Sequence, residues 1–164
     1  MALAVTHVIV TIVVLDLFRH YAFGKRQFPK YLLIIGGIAG LFPDIDIPLS
    51  WVYNFLTGAS ADLHGAFTHS LFFPLLFLGM GIILYNSQKK KWAKILFVIS
   101  FGWFFHLFLD CLYGGYKTFF WPLSFAPNFC PKWGIHAYAA SIDAIILVLW
   151  LVHEEIHKRI KDYI

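Results

Sequence analysis

Three short stretches of the chain carry side chains that packing alone does not call for. Asp44 and Asp46 lie in the string Pro43-Asp44-Ile45-Asp46-Ile47-Pro48, His64 precedes Thr68-His69-Ser70, and His106 is followed four residues later by Asp110. Positions four apart share a helix face, so His106 and Asp110 can reach one ion. Two carboxylates in one turn repel each other and are costly to bury, a cost that a divalent cation removes. Mixed imidazole and carboxylate ligation suits zinc first, then manganese or iron. His7 and His136 add two further imidazoles. Singly, each has a plainer reading: His7 as a packing residue, His106 and Asp110 as an ion pair, His136 as an interfacial residue beside Trp133 and Tyr138. Together they argue for a metal centre, because independent segments deliver the same ligand types.

The elements that must position these residues are membrane helices. The 164 residues are 60% hydrophobic, 20% aromatic and 13% charged, with mean hydropathy +0.71. Soluble domains have about 45–50% apolar and about 25% charged residues. Disorder, coiled coil and collagen are excluded by the same figures. At about 20 residues per span, a chain of this length holds about five spans in one integral-membrane domain, 1–164, with no room for a soluble one. Five apolar stretches fit: 1–18, 31–42, 67–85, 95–109 and 135–152. The first lacks a preceding basic residue and a following cleavage site, so it is expected to stay as a span.

Basic residues orient the bundle. Arg19, Lys25, Arg26 and Lys30 follow the first stretch, Lys89, Lys90, Lys91 and Lys94 follow the third, and Lys158, Arg159 and Lys161 follow the last. Residues 43–66 have no Lys or Arg, and the fourth connection has only Lys117 and Lys132, read as plain loop lysines. The positive-inside rule then predicts an all-α polytopic bundle with the N-terminus outside and the C-terminus cytoplasmic. On that topology His7, Asp44, Asp46, His64, His69, His106, Asp110 and His136 converge on the outer leaflet, while His20, His153 and His157 are interfacial residues on the cytoplasmic side. The stretch 31–42 makes only about 18 Å of helix against a hydrocarbon core of about 30 Å. It runs into proline, which predicts a broken or re-entrant element with its carboxylates in a polar cavity. Cys111 and Cys130 share the fourth connection, where they are either a disulfide closing an aromatic loop or two free thiols.

The strings Leu41-Phe42-Pro43-Asp44-Ile45-Asp46, His64-Gly65-Ala66-Phe67-Thr68-His69-Ser70 and His106-Leu107-Phe108-Leu109-Asp110 resemble the YdjM-like family, with Thr6-His7 and Phe120-Trp121-Pro122-Leu123 in keeping. That family comprises membrane-bound metal-dependent hydrolases, also described as LexA-binding and inner-membrane associated. It is distantly similar to zinc-dependent phospholipase C and the fungal single-strand nucleases. The resemblance implies that His7, Asp44, His69, His106 and Asp110 are metal ligands. It leaves Asp46 and His64 as bridging ligand, catalytic base or supporting residues. The family's Glu near the start of its last span has Asp143 as its nearest counterpart, so Asp143 or His136 completes the site. The family's Arg after the first histidine of the second string, suited to clamping a phosphate, is Gly65 here.

The expectation is a metal-dependent hydrolase of the cell membrane, with two or more Zn2+ ions (Mn2+ or Fe2+ as substitutes) opening to the extracytoplasmic side. It would cleave a phosphoester in a lipid or lipid-linked substrate by a metal-activated water, with Asp46 or a histidine handling protons. Its partners are membrane lipids and that substrate. No nucleic acid is expected, since the basic clusters are those the membrane rule already explains. The alternatives are divalent-metal transport or sensing, and a catalytically inactive scaffold.

Overall fold

The computed structural model describes residues 3–157 except Leu63, Ala66, Tyr116, Lys117, 124–126, Asn128, Lys132 and Gly134, and leaves the side chains of Ile135 and His136 undescribed. Six helices account for its architecture, and no strand occurs among the described residues. Helix α1, Ala4–Phe18, runs on through a π-helical turn, Arg19–Phe23; α2 is Tyr31–Ala39, α3 Asp46–Thr57, α4 Phe72–Asn86, α5 Lys90–Leu112 and α6 Ala139–Ile156. Short 3-10 turns, Pro43–Ile45, Phe67–His69 and Ile135–Tyr138, precede α3, α4 and α6.

Among the described residues, two helices are long and apolar enough to cross a bilayer: Ala4–Phe23, 20 residues, and Lys90–Leu112, 23 residues. At about 1.5 Å per residue they measure about 30 and 35 Å. Tyr31–Ala39 and Pro43–Thr57 form a third crossing if taken as one, bent by 51° at the break. The short second stretch is therefore half of a broken element, in keeping with its length and its proline. The remaining two expected spans are less complete. Helix α4 has 15 residues, and α6 has 18 but includes Asp143, Glu154 and Glu155.

Proline explains the break. Pro43 cannot continue the helical ladder, and the chain around it tightens into three-residue steps, Leu41 N–H to Ile38 O, Asp44 N–H to Leu41 O and Ile45 N–H to Phe42 O.

The helices are turned inside out relative to those of a soluble protein. Thr6, His7, Thr11 and Asp16 of α1 are buried, while Val5, Leu17 and Phe18 are exposed. On α3 the buried residues are Asp46 and Ser50, and Phe55 is 88% exposed and Trp51 70%. Polar side chains facing inward and apolar ones outward are the pattern of helices bathed in lipid. Helix α2 lies between α1 and α5 and comes unusually close to both. A Cβ at Gly102 would stand 2.7 Å from Gly36 O and 2.9 Å from Ala39 Cβ, and one at Gly37 would stand 2.9 Å from Ile12. Small residues let helix backbones approach where no hydrophobic drive separates protein from lipid. Leu15, Leu32, Leu33 and Val98 close the inner part of this packing. Trp103, Leu107 and Phe119 pack at the other end.

Candidate metal centre

Three segments meet on one face of α5. The 3-10 turn after α2 brings Asp44, the turn before α4 brings His69, and α5 itself brings His106 and Asp110. The Nε2 atoms of His106 and His69 are 3.3 Å apart. Asp44 Oδ1 lies 3.5 Å from His69 Nε2 and 3.6 Å from His106 Nε2. Asp110 Oδ2 lies 3.7 Å from each of them. Four ligands at about 2.0–2.1 Å from a tetrahedral zinc are separated by about 3.4 Å. The five measured edges, 3.3 to 3.7 Å, are close to that figure.

Proton positions strengthen the case. His106 Nδ1 faces Gly40 O at 2.7 Å, and a carbonyl only accepts, so this nitrogen carries the ring proton. His69 Nδ1 is 3.0 Å from Asp46 Oδ2 and donates likewise. Both Nε2 atoms are then lone-pair acceptors, pointing at each other and at two carboxylate oxygens. Asp44 Oδ1 and His7 Nδ1 are buried without a hydrogen-bond partner. Four acceptors and no proton in an almost sealed space form an arrangement that a cation relieves. The groups His7–His106–Asp110 and Asp44–His64–His69 each place three ligand atoms within 4.8 Å of one another, so they fit a metal.

His7 joins the centre from α1. Its ring stacks on His106 with centroids 3.7 Å apart, and its Nε2 is 3.5 Å from Asp110 Oδ1, the oxygen turned away from His69 and His106. Asp110 thus bridges two sets of imidazoles. His7, His106 and Asp110 make up one of the groups whose ligand atoms lie close enough together to hold an ion.

Asp46 stands behind the ligands. It is fully buried, and its oxygens accept from Thr68 Oγ1 at 2.7 Å, from Gly65 N–H at 2.9 Å and from both His64 and His69. A carboxylate so engaged fixes ring orientation, as partners of metal-bound histidines do. This geometry suits a positioning residue better than the base it was expected to supply. His64, with 16% side-chain exposure, is the partly open member of the pair. Trp103 Nε1–H donates to Thr68 O at 2.9 Å and pins the histidine turn to α5. Gly65 has φ of +77°, a conformation that suits glycine, so the position that holds Arg in the resembling family is here a backbone donor to Asp46.

The structure gives Asp143 a different partner and leaves the side chain of His136 outside the described residues. Asp143 Oδ2 accepts from Thr6 Oγ1 at 2.7 Å, and among the described residues Asp143 makes no ion pair with a histidine. Through Thr6 it holds α6 to α1 one residue from His7. Burial and this carboxylate push the Tyr113 phenol above its ordinary value. His136 lies in the turn Ile135–Tyr138, but its side chain is outside the described set, as are Lys117 and Lys132. Cys111 and Cys130 form a disulfide, which ties the residue after Asp110 to the aromatic loop.

A second polar cluster was missed at sequence level. His20 was expected as an interfacial residue, yet its side chain is 1% exposed and its Nδ1 lies 3.4 Å from Asp16 Oδ2 and 4.0 Å from Glu154 Oε1. Arg19 pairs with Asp16 at 3.3 Å, and Trp150 Nε1–H donates to Asp16 at 3.1 Å. His153 joins through Glu154 at 3.0 Å, while His157 is exposed as expected. The signal was the spacing of Asp16 and His20, four apart on one helix face, but their partner Glu154 is remote in sequence.

No curated protein and no solved structure matches the chain. The YdjM inner membrane protein family matches it over residues 1–161, nearly its whole length and all three of the segments that meet on α5. The chain therefore belongs to the YdjM inner membrane protein family.

Proposed function

We propose that this protein is a membrane-embedded, metal-dependent hydrolase that cleaves a phosphoester of a lipid or lipid-linked substrate. The observation that carries the reading is that Asp44 Oδ1 and Asp110 Oδ2 each lie 3.5 to 3.7 Å from the Nε2 atoms of both His69 and His106, themselves 3.3 Å apart. His69, His106, Asp44 and Asp110 would hold one ion, and His7 with Asp110 would contribute to a second. A bound zinc ion supplies Lewis-acid polarisation of a phosphoryl oxygen and lowers the pKa of a water toward about 7. Asp44, 18% exposed beside fully buried histidines, marks the side from which water and substrate arrive. His64, oriented by Asp46, passes a proton to the leaving oxygen. The apolar outer face of α3 keeps that approach beside lipid, which favours a substrate arriving sideways through the bilayer.

The same reading has five crossings, with the N-terminus and the centre on the extracytoplasmic side. The distribution of Lys and Arg supports it. So does the Cys111–Cys130 disulfide, since such bonds persist in oxidising compartments.

The test is elemental analysis of purified protein beside Asp44→Asn and His106→Ala, followed by phosphate release from a panel of lipid phosphoesters. Near-stoichiometric zinc, manganese or iron that both variants lose, with turnover that follows metal content, is the expected result. Wild-type protein that binds no metal after reconstitution overturns the reading. Divalent-cation transport is the second reading. One observation favours it: buried polar residues continue along α1 from His7 through Thr11 to Asp16. Metal flux into proteoliposomes without hydrolysis would establish it.

A further inference from the structure

A cleft of about 460 Å³ opens between α1, α4, α5 and the loop 24–30. Leu15, Phe28, Val98 and Phe101 form apolar wall, and Gln27, Tyr85 and Lys94 supply its polar groups. Its volume is in the range of small-ligand sites, about 300–1,000 Å³. It is separate from the metal centre. Leu15 is eight residues from His7 on α1, and Val98 eight residues from His106 on α5, so both walls stand about 12 Å from the ligands, toward the other end of the bundle.

Charge distinguishes this cleft from an ordinary lipid-facing groove. Residues 17–43 and 63–109, which supply nearly all of its walls, contain no Asp or Glu. Arg26 adjoins Gln27 in the loop. Lys94 is a turn inside α5 rather than at its end, and it is partly buried. Its Nζ donates to Gln27 O at 2.7 Å, a neutral carbonyl, and no carboxylate pairs with it among the described residues. Asp16, next to Leu15, is already paired with Arg19. An apolar slot between membrane helices, with the Lys94 ammonium in its wall and Arg26 next to the lining residue Gln27 in sequence, suits a hydrocarbon chain bearing an anionic head group.

We propose that this cleft is a binding site for an anionic phospholipid, with an acyl chain between Val98 and Leu15 and the phosphate at Lys94 and Arg26. A zwitterionic lipid offers the same chain but no net charge, and inorganic phosphate offers the charge without the chain.

The experiment is native mass spectrometry of protein taken from nanodiscs of equal phosphatidylglycerol and phosphatidylcholine. Wild-type protein is expected to keep phosphatidylglycerol in excess. Lys94→Gln should lower the retained ratio roughly five-fold, the effect of one cation near a membrane surface. Lys89→Gln, which does not line the cleft, should leave it unchanged. Val98→Trp, which fills the cleft, should release both lipids. Metal content, read on the same samples, should stay at the wild-type level and so report an intact fold. Equal retention of the two lipids by wild type, equal shifts from Lys94→Gln and Lys89→Gln, or lipid retained by a metal-loaded Val98→Trp protein would each overturn the proposal.

Discussion

Asp46 holds two histidines at once, with Oδ1 2.9 Å from His64 Nδ1 and Oδ2 3.0 Å from His69 Nδ1. An amide at this position has one accepting oxygen and one donating nitrogen, so it can serve only one of the rings correctly. Asp46→Asn is expected to weaken metal binding about 10–100-fold without abolishing it, the usual result of removing a carboxylate behind a metal-bound histidine. Competition with a chelator measures this. Unchanged affinity would show that the pair plays no part in orienting His69.

His64 gives a sharper separation of roles. His64→Gln should leave metal content near wild type while turnover falls about 10²–10⁴-fold, the range for loss of a positioned proton donor. Loss of the metal in this variant would make His64 a ligand instead and remove it from proton transfer.

Gly65 is expected to resist substitution. Its φ of +77° strains any residue with a Cβ, and its N–H donates to Asp46. Gly65→Arg should therefore destabilise the protein by about 1 kcal/mol or more rather than add a phosphate clamp. A thermal melt with metal analysis tests this, and a variant with higher turnover and unchanged stability would contradict it.

The close approach of α2 and α5 is a second point of fragility. Gly102 lies against Gly36 O and Ala39, and the same approach lets His106 Nδ1 reach Gly40 O at 2.7 Å. Gly102→Val is expected to cost about 1–3 kcal/mol and to reduce metal loading, because separating the helices removes the acceptor that sets the His106 tautomer. Gly79 has open space around its Cβ position, so Gly79→Ala serves as the control and should match wild type.

The residues that gather at the candidate centre were legible in the sequence because each brings its own local reason for being polar. His106 and Asp110 share a helix face by their spacing, and the prolines around Asp44 and Asp46 announce a turn. What spacing could not give was the division of labour within that turn. Asp44 points to the centre and Asp46 to the backs of two histidines, a difference of about half a helical turn that depends on how Pro43 tightens the chain. Asp143 was drawn toward the site by its place on the last helix, and spacing could not show that its Oδ2 accepts from Thr6. The glycine approach of α2 to α5 was also hidden, since nothing in a run such as Ile34-Ile35-Gly36-Gly37 says which neighbour it faces. The inner cluster was hidden for the same reason. Asp16, His20 and Glu154 look like ordinary helix-end residues until α1 and α6 are laid side by side.

The Cys111–Cys130 bond bears on how the protein matures. Cysteines join where glutathione and thioredoxin do not hold them reduced. Because Cys111 adjoins Asp110, the loop that frames the centre is fastened in the same compartment where the bond forms. On the proposed reading, metallation follows export, and the ion acquired is chosen from the pool beyond the cytosol. Affinity alone ranks copper above zinc for nitrogen and oxygen ligands. The metal found in the purified protein will accordingly depend on the growth medium, and expression with cytosolic retention should yield chains that are reduced and empty together.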